Sequence, residues 1–454
     1  VEMARTQRFL DVILFPGKAL ILGSAFLTWV SFGTLIQSLL QTLKITSAPT
    51  IKLIDMRGKV CIVTGSNTGI GLRTATALVK CGATVIFACR SKHKAIEAIE
   101  SVKAEAGTRN WATSAKLYFI ELDLSYLQSV RSFVREIKER FTTLDVVVLN
   151  AGLNVGSQTK NGLDAQWQVN YLGHWLLISE LLPLLKDASG PNNNGARVVC
   201  LSSVCHHFGS SHRFDWHCNP NIELSSKQII EQNASVYSDS KLAMNLLACE
   251  LQKIFNQSLN QQETTINNIE TTIFHEKGSI SQNNSMKISS SQQTSTRKFY
   301  IPKAISVNPG AVASDIWRGV PWFIRTFLFD PLMTLTFLNT DEGAATSIAA
   351  SLNPLVSYDN EDNNNDAQND DKDNLLKRSS CSSHQNITKL PTPYYSPYWV
   401  PNIFGWTFPI PFESFGPFMG AKLAPQTLPK NLSEEAHKLW ILSEQTVKRI
   451  ENNK

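Results

Sequence analysis

The sequence has few of the features that mark a disulfide scaffold, a zinc ribbon or a nucleic-acid-binding protein. Its 8 cysteines are scattered along 454 residues, whereas disulfide frameworks and zinc ribbons are built from regularly spaced cysteine pairs. The formal net charge is only +5, without an arginine–lysine stripe, so the basic surface typical of nucleic-acid recognition is missing. We therefore expect a reducing compartment, no metal and no nucleic-acid partner.

Charge is also missing from a long stretch near the start of the sequence. No residue from Ala19 to Leu43 is charged, and a helix of about 20 apolar residues spans the hydrocarbon core of a bilayer. Ser24, Thr28 and Gln37 dilute this stretch, so an interfacial helix is an alternative to a spanning one. The sequence thus predicts a membrane-anchor region at residues 1–52.

From residue 53 onward, short apolar runs alternate with amphipathic stretches. The runs at 59–63, 84–88, 117–120, 146–149, 197–201 and 304–307 are typical of buried strands, and 125–140 and 165–185 have helical periodicity. This alternation predicts an α/β fold, a Rossmann-type doubly wound parallel sheet in a single domain at 53–454. Ligands of such a sheet bind beyond the carboxyl ends of its strands.

Three segments interrupt the alternation. Residues 255–300 and 355–389 are rich in polar residues, and because they cannot bury enough apolar surface to offset the entropy of ordering, we predict two disordered insertions. Residues 390–425 are crowded with aromatic residues and proline. We expect this segment to cover an apolar substrate pocket or contact a membrane, with irregular packing on the core as the alternative. Residues 433–452 have the pattern of a closing amphipathic helix.

A glycine-rich turn follows the first predicted strand. It precedes a helical stretch, and the N–H groups at a helix N-terminus attract a pyrophosphate when glycines let the backbone approach closely. Glycine-rich turns also occur for structural reasons, so the turn alone is weak evidence. The residues of this candidate dinucleotide site are Gly65, Ser66, Asn67, Thr68, Gly69, Ile70 and Gly71.

A tyrosine and a lysine share one face of a predicted helix. Tyr237 and Lys241 are four residues apart, which places them one above the other in a helix. A nearby ammonium favours phenolate and lowers the pKa of tyrosine, so the phenol can act as a general acid toward a carbonyl or a base toward an alcohol. Taken alone, the spacing also fits an ordinary surface pair.

Further polar residues follow the glycine turn in a fixed order. Asn150-Ala151-Gly152 and Ser202-Ser203 end two predicted strands, and Asn170 lies on a helix between them. Together with the turn, Tyr237 and Lys241, this order closely resembles the short-chain dehydrogenase/reductase superfamily, specifically its retinol-dehydrogenase-like branch. The resemblance covers about 57–252 and resumes from 301 to the last helix.

The resemblance implies a role for each matching residue. It implies that Tyr237 transfers the proton, Lys241 holds the nicotinamide ribose, Ser203 orients the substrate oxygen and Asn170 holds a water in the proton relay. Ser314 stands where the family usually has threonine near the nicotinamide amide. The further cofactor contacts that it implies are Asp123, Asn150, Ala151, Gly152, Tyr237, Lys241, Pro309, Gly310, Val312 and Ser314.

The end of the second strand bears on the choice of dinucleotide. Proteins that select NAD usually place an acidic residue there, where it binds the ribose 2′-hydroxyl. This chain has Arg90, with Lys92 close behind, and an arginine can pair with a 2′-phosphate. An arginine that merely begins a helix is the alternative. We expect NADP(H) as the cofactor.

These expectations combine into one predicted function. The resemblance implies an NADP(H)-dependent oxidoreductase that interconverts a carbonyl and an alcohol on a lipophilic substrate of the retinoid, steroid, polyprenoid or long-chain aldehyde class. We expect it to be membrane-associated, at the endoplasmic reticulum or a lipid droplet, with its catalytic domain in the cytosol. A reductase of ring double bonds, similar to protochlorophyllide reductases, and a catalytically silent NADP-binding membrane scaffold remain alternatives. The sequence does not indicate an oligomeric state.

Overall fold

The computed structural model describes most of the predicted catalytic domain. The described residues are 51–107, 112–187, 195–280, 302–310, 312–313, 338–352, 394–397, 421–423 and 431–453. The uncharged stretch at 19–43 and the polar segment at 355–389 lie outside them. No helix within the described ranges is both long and apolar enough to cross a bilayer.

One sheet organises the described chain, with strand order β3-β2-β1-β4-β5-β6-β7-β8. Neighbouring strands are parallel except for the last pair, β7 and β8, which is antiparallel. The order of the first six strands is that of a doubly wound dinucleotide-binding fold, so the predicted Rossmann-type sheet is confirmed. The strands are β1 Val60–Thr64, β2 Thr84–Cys89, β3 Lys116–Glu121, β4 Val146–Leu149, β5 Arg197–Leu201, β6 Lys303–Val307, β7 Tyr394–Pro397 and β8 Ala421–Leu423.

Helices connect these strands and cover both faces of the sheet. The fourth helical run, α4, joins a helical turn at Ala165–Trp167, a π-helical segment at Gln168–Leu172 and an α-helix at Gly173–Asp187. Short 3₁₀ turns occur at Ala112–Ser114, Val204–Phe208 and Ser211–Arg213. The other helices are α1 Gly69–Lys80, α2 Lys92–Ala106, α3 Leu127–Arg140, α5 Phe214–Cys218, α6 Ser226–Ile280, α7 Thr340–Leu352 and α8 Leu432–Asn452.

The period-two alternation of the strands divides the core into two clusters. Side chains such as Ile62 and Val147 face the helices α3, α4, α6 and α8. Their chain neighbours Val63 and Val148 face α1, α2 and α7. Because both faces of each central strand are buried, these strands read as continuous apolar runs in the sequence.

The helix that carries Tyr237 is much longer than its apolar pattern indicated. It begins at Ser226 and continues to Ile280. Residues 255–280, which the sequence analysis assigned to a disordered insertion, continue this helix, and Phe255 is only 1% exposed. Composition misses this extension because a helix that is already nucleated and packed adds further residues at little cost. Residues 281–301 lie outside the described part.

The start and end of the aromatic segment are also different from the prediction. Strand β7, Tyr394–Pro397, pairs in parallel with β6. Strand β8, Ala421–Leu423, pairs antiparallel with β7. These two short strands extend the sheet, whereas the sequence predicted a covering loop throughout 390–425. The intervening 398–420 lie outside the described residues.

The closing helix α8 packs across the outside of α4 and α6. The rings of Trp175 and Trp440 meet edge to face at 5.4 Å, and the hydroxyl groups of Tyr171 and Ser443 hydrogen-bond at 2.7 Å. The helix begins after Asn431, whose carbonyl accepts from the N–H groups of Glu434 and Glu435. The helix thereby seals the apolar cluster on the α4–α6 face of the sheet.

Candidate active site

The glycine turn joins β1 to α1 with two residues in the left-handed region of φ. Gly65 has φ 64° and Gly69 has φ 57°, a conformation that other residues adopt only with strain. The first turn of α1, residues 69–72, contains only glycine and aliphatic residues. The N–H of Leu72 donates to the Thr68 carbonyl, and no carboxylate in this turn competes for the N–H groups of residues 69–71.

The packing around Gly71, the third glycine of the turn, leaves no room for a side chain. A Cβ atom on Gly71 would collide with the carbonyl oxygen of Gly65 and with the side-chain amide of Asn150. This amide donates to the Thr64 carbonyl at 2.8 Å, and the Thr64 hydroxyl accepts from the backbone N–H groups of Asn150 and Ala151, both at 2.9 Å. The predicted glycine and Asn-Ala-Gly motifs are thus parts of one bonded unit.

Asn170 occupies the π-helical segment of α4, next to the end of β4. Its side chain accepts from the N–H of Leu153 at 2.8 Å and donates to the carbonyl of Leu153 at 3.0 Å. The same amide donates to the Ser240 hydroxyl at 3.1 Å, which itself bonds the backbone of Tyr237. Asn170 therefore joins the strand edge to the helix of the tyrosine and lysine.

Tyr237 and Lys241 share a face of α6, as predicted, and that face is directed toward the strand edge. The Lys241 ammonium lies 5.6 Å from the centre of the Tyr237 ring and donates to the Leu201 carbonyl at 3.1 Å. A Cβ on Gly152 would lie 3.7 Å from the same nitrogen. The lysine is 3% exposed, and burial lowers its pKa to about 8.

Ser203 brings a third polar group to this pair. Its hydroxyl caps the 3₁₀ turn by accepting from the N–H of Cys205 at 3.2 Å, and its nearness to the phenol of Tyr237 acts to lower the pKa of that phenol. Ser202, its neighbour, donates to the Lys241 carbonyl at 2.8 Å. The end of β5 is therefore tied to the same turn of α6 that carries the phenol.

The pKa of Tyr237 shifts upward in this arrangement, whereas the sequence predicted a lowering by Lys241. Burial raises the pKa of Tyr237 above its ordinary value, and the nearby Cys205 thiol adds to that rise, while the Ser203 hydrogen bond opposes it. The net shift is upward because burial of the phenol outweighs the ammonium 5.6 Å from the ring centre. The phenol is therefore protonated at neutral pH.

Two predicted adenine-side residues lie at the ends of neighbouring strands. Arg90 is exposed and follows β2 directly, while Ser91 rather than Arg90 caps α2. Asp123 lies just beyond β3, where its Oδ1 accepts from the N–H and hydroxyl of Ser125 at 2.9 and 2.6 Å. Both positions are on the carboxyl edge of the sheet, on the side of the glycine turn.

The residues after β6 are described only in part. Pro309 and Gly310 follow the strand, and the N–H of Gly310 bonds the Asn308 side chain at 3.0 Å. Val312 is buried in a small apolar cluster that Ile70 of the glycine turn also contacts. Ser314 lies outside the described residues.

The residues present fit a bound dinucleotide. The glycine turn offers N–H donors at a helix N-terminus and excludes a Cβ at Gly71. On the other side of the same edge, Lys241 supplies a cation that can donate to a ribose hydroxyl. A phosphate-bearing ligand with a polar sugar matches this donor set.

Sequence reasoning missed His174, which lies fully buried behind the site. Its Nδ1 is 3.1 Å from the Asn170 carbonyl and its Nε2 is 2.9 Å from the Thr64 hydroxyl. Because a carbonyl only accepts, Nδ1 carries the proton and the Thr64 hydroxyl donates to Nε2. Burial lowers the pKa of His174 to about 4, so the ring is neutral. Nothing in the local sequence signals this contact, since Thr64 is 110 residues away.

The fold and these contacts together define a class. A glycine turn for an anion, set beside a phenol and an ammonium on a doubly wound sheet, is the arrangement of a Rossmann-fold oxidoreductase. Comparison with known proteins identifies the family within this class. Residues 59–214 match the family model described as short chain dehydrogenase, and a curated relative is 30% identical over a stretch that covers 72% of it. The chain belongs to the short-chain dehydrogenase family.

Several curated proteins are similar to this chain. Polyprenol dehydrogenase of Mus musculus is 30% identical over 299 residues, which cover 65% of this chain and 72% of that protein. Retinol dehydrogenase 14 of Mus musculus is 37% identical over 202 residues, covering 43% of this chain and 56% of that protein. The predicted retinol-dehydrogenase-like resemblance is confirmed.

A solved structure shows the same fold. The crystal structure of an uncharacterised protein from Mycobacterium paratuberculosis aligns with a TM-score of 0.50 at 21% identity, covering 87% of this chain and 96% of the other.

The buried histidine makes stability depend on pH. Since the pKa of His174 falls from its ordinary 6.5 to about 4 on folding, its stabilising contribution is full above pH 6.5 and is lost as the pH falls toward 4. We expect the free energy of unfolding to decrease by about 3 kcal/mol from this group between pH 7 and 4. Urea unfolding of the wild type and of His174→Asn across this range measures the difference.

His93→Asn provides the matched control, because the His93 side chain is 83% exposed. This variant should keep the pH dependence of the wild type. If His174→Asn also keeps it, the neutral buried ring is not what links stability to pH.

Proposed function

We propose that this protein is an NADP(H)-dependent oxidoreductase that interconverts a carbonyl and an alcohol on a lipophilic substrate. The observation that carries the proposal is the convergence of Ser203, Tyr237 and Lys241 at the strand edge that also holds the glycine turn. A module that only bound a dinucleotide would need no phenol close to both a serine hydroxyl and a buried ammonium.

In the direction of reduction, Tyr237 is the proton donor. The phenol is protonated at neutral pH because burial raises its pKa, so it is ready to protonate a carbonyl oxygen as hydride reaches the carbonyl carbon. The Ser203 hydroxyl is placed to orient that oxygen through a second hydrogen bond. The dinucleotide, when bound, supplies the hydride that no side chain can deliver.

Lys241 and Asn170 assist the proton transfer by Tyr237. With a pKa of about 8, the Lys241 amine is mostly cationic at neutral pH and stabilises the phenolate that remains after proton transfer. Asn170 contacts the same turn of α6 through Ser240. This contact supports a role for Asn170 in the path by which the phenol regains a proton.

The substrate class rests on the family and on the relatives. Polyprenol dehydrogenase and retinol dehydrogenase 14 are named for long apolar alcohols, and the proposal extends that chemistry to this chain. It includes retinoids, steroids, polyprenoids and long-chain aldehydes as candidate substrates. A fold hosts many reactions, so the substrate has to be found by assay.

Replacement of Tyr237 by Phe tests the proton donor. We expect the full chain to oxidise NADPH with retinal, a steroid ketone, a polyprenal or a long-chain aldehyde. In Tyr237→Phe, kcat should fall by about 10² to 10⁴, the usual contribution of a general acid, while the Kd for NADPH stays within about threefold. Stopped-flow turnover and fluorescence titration measure the two quantities.

Tyr118→Phe is the matched control for loss of one phenol oxygen. Tyr118 is half-buried on β3 and packs edge to face on Phe141, away from Ser203 and Lys241, so its variant should turn over normally. Full activity of Tyr237→Phe would contradict the assignment. NADPH binding without turnover of any substrate by the wild type would favour the silent scaffold.

We also propose that Arg90 selects NADP(H) over NAD(H). It is exposed at the carboxyl end of β2, beside the glycine turn, where a guanidinium can pair with a 2′-phosphate. Hydrogen bonds to charged groups contribute about 1.5–3 kcal/mol. In Arg90→Glu, the Kd for NADPH should therefore rise by about 10- to 150-fold, with the Kd for NADH unchanged or lower.

Arg135→Glu makes the same charge change at an exposed position on α3, and we expect both dinucleotides to bind it as they bind the wild type. Equal losses for NADPH and NADH in Arg90→Glu would show that Arg90 does not read the 2′-phosphate.

We further propose that residues 1–52 attach the enzyme to a membrane, at the endoplasmic reticulum or a lipid droplet, with the catalytic domain on the cytosolic side. The support is the absence of charge from Ala19 to Leu43 in the sequence. In a full chain carrying Leu27→Arg and Leu35→Arg, each arginine costs about 2.5–3.5 kcal/mol at the centre of a membrane helix. We expect the wild type to float with phosphatidylcholine vesicles and the double variant to stay unbound.

The matched control is Leu27→Ile with Leu35→Ile, which keeps both positions apolar and should float like the wild type. Turnover of a short water-soluble aldehyde should be the same in all three proteins. Flotation of the arginine variant would contradict attachment through this stretch.

A further inference from the structure

The residue midway between the phenol and the ammonium points away from both. Asp239 follows Tyr237 by two positions and precedes Lys241 by two. At about 100° per residue, two positions turn a helical side chain roughly to the opposite side. Asp239 is 0% exposed, so a carboxylate is buried behind the face that carries the proton donor.

This carboxylate is bonded by an unusually full set of donors. Arg213 holds it with two nitrogens, Nη2 to Oδ1 at 2.7 Å and Nε to Oδ2 at 2.9 Å. The remaining donors are His217 Nε2 at 2.8 Å, the Ser210 N–H at 2.8 Å and the Ser235 hydroxyl at 2.9 Å. Burial would raise the pKa of Asp239, but the bonds from His217 and Arg213 keep it below its ordinary value. The carboxylate is therefore ionised.

Three of the four residues that donate to Asp239 belong to one segment that starts at Ser203. We name residues 203–218 the serine segment, since it runs from Ser203 through two 3₁₀ turns to the end of α5. Arg213 also donates to the Phe208 carbonyl at 3.1 Å, which fixes the middle of the segment. A Cβ on Gly209 would lie 2.7 Å from the Ser238 carbonyl oxygen, so the segment lies directly against the backbone of α6.

His206 and His217 connect the serine segment, and with it the contacts of Asp239, to the site. His206 bonds the Ser203 carbonyl at 2.6 Å, which holds the serine from the segment side. His217 stacks on Trp167 at 4.9 Å between ring centres, and Trp167 directly precedes the π-helical segment that contains Asn170. A shift of Asp239 and its donors Arg213 and His217 would therefore move Ser203 relative to the phenol.

We propose that Asp239, held by Arg213 and His217, is a positioning residue that sets the rotation of α6 and the placement of the serine segment, so that the hydroxyl groups of Ser203 and Tyr237 converge on one substrate oxygen. The inference rests on the proposed function. It assigns no contact with substrate or cofactor to Asp239 itself, which acts through Ser203 and Tyr237.

Neutralising both members of the ion pair separates positioning from stability. Removing one partner alone leaves a buried charge uncompensated, whereas removing both removes that penalty. Arg213→Met and Asp239→Asn should each lower the thermal midpoint, and the double variant should regain most of the loss. Because a displacement of about 1 Å costs about 100-fold in rate, we expect kcat of the folded double variant to be about 10- to 100-fold lower, with the Kd for NADPH unchanged.

A solvent deuterium isotope effect adds a readout that loss of stability alone would not move. If the two hydroxyl groups no longer converge, proton transfer becomes slower than hydride transfer. The isotope effect of deuterated water on kcat should then rise in the double variant, while the effect of a deuterated cofactor should fall. His217→Phe, which keeps the ring stacked on Trp167 and removes one donor to Asp239, should show the same change to a smaller extent and covers the case in which the double variant does not fold.

The control is a partly buried ion pair at the opposite edge of the sheet. The Lys59 ammonium lies 2.9 Å from the Asp145 carboxylate. Lys59 directly precedes β1, and Asp145 directly precedes β4. Lys59→Met with Asp145→Asn should change stability in the same way and leave kcat unchanged.

The outcomes separate the inference from the function on which it rests. A wild type that turns over no carbonyl or alcohol would defeat the proposed function and, with it, the inference. An active wild type whose folded double variant and His217→Phe keep normal kcat and isotope effects would overturn the inference alone and leave Asp239 a structural anchor.

Discussion

The contact between the start of α1 and the end of β4 is the constraint on which the site depends. A side chain at Gly71 would displace the Gly65 carbonyl and the Asn150 amide, and that amide already bonds the Thr64 carbonyl. Since interiors are close-packed, such a collision moves backbone rather than a flexible side chain. The turn that would hold a pyrophosphate and the strand end that faces Lys241 are therefore one rigid unit, and neither can shift without the other.

Burial favours the neutral form of both Tyr237 and Lys241. It raises the pKa of Tyr237 and lowers that of Lys241 to about 8, because a low dielectric disfavours the charged form of either group. A phenolate therefore forms readily only when an additional positive charge or hydrogen-bond donor is close. The acid–base chemistry of this chain is thus conditional on what occupies the cleft, and the protonated phenol is the resting form.

The sequence was sufficient to predict the sheet, its glycine turn and the shared face of Tyr237 and Lys241, because each depends on short-range periodicity. It could not predict the contacts of His174 and Asp239, whose partners Thr64 and Arg213 are 110 and 26 residues away. Composition also predicted disorder from residue 255, where the structure continues a helix that is already packed. Local propensity is a weak guide at such a place, since tertiary packing decides how far a helix runs. The net direction of the Tyr237 pKa shift was unpredictable for a related reason: spacing shows that two groups are close, but the pKa also depends on how deeply the phenol is buried.

Two buried networks lie near Tyr237. In one, neutral His174 links the strand end at Thr64 to the carbonyl of Asn170. In the other, ionised Asp239 links α6 to the segment that starts at Ser203. The first network uses only neutral groups, whereas the second buries a charge and so requires its arginine to stay in place. The charged network therefore holds the irregular part of the serine segment against α6 by polar contacts, while Phe214 and Cys218 at its end pack into the apolar core. Helix α6 is thus held by two separate sets of hydrogen bonds, one neutral and one charged.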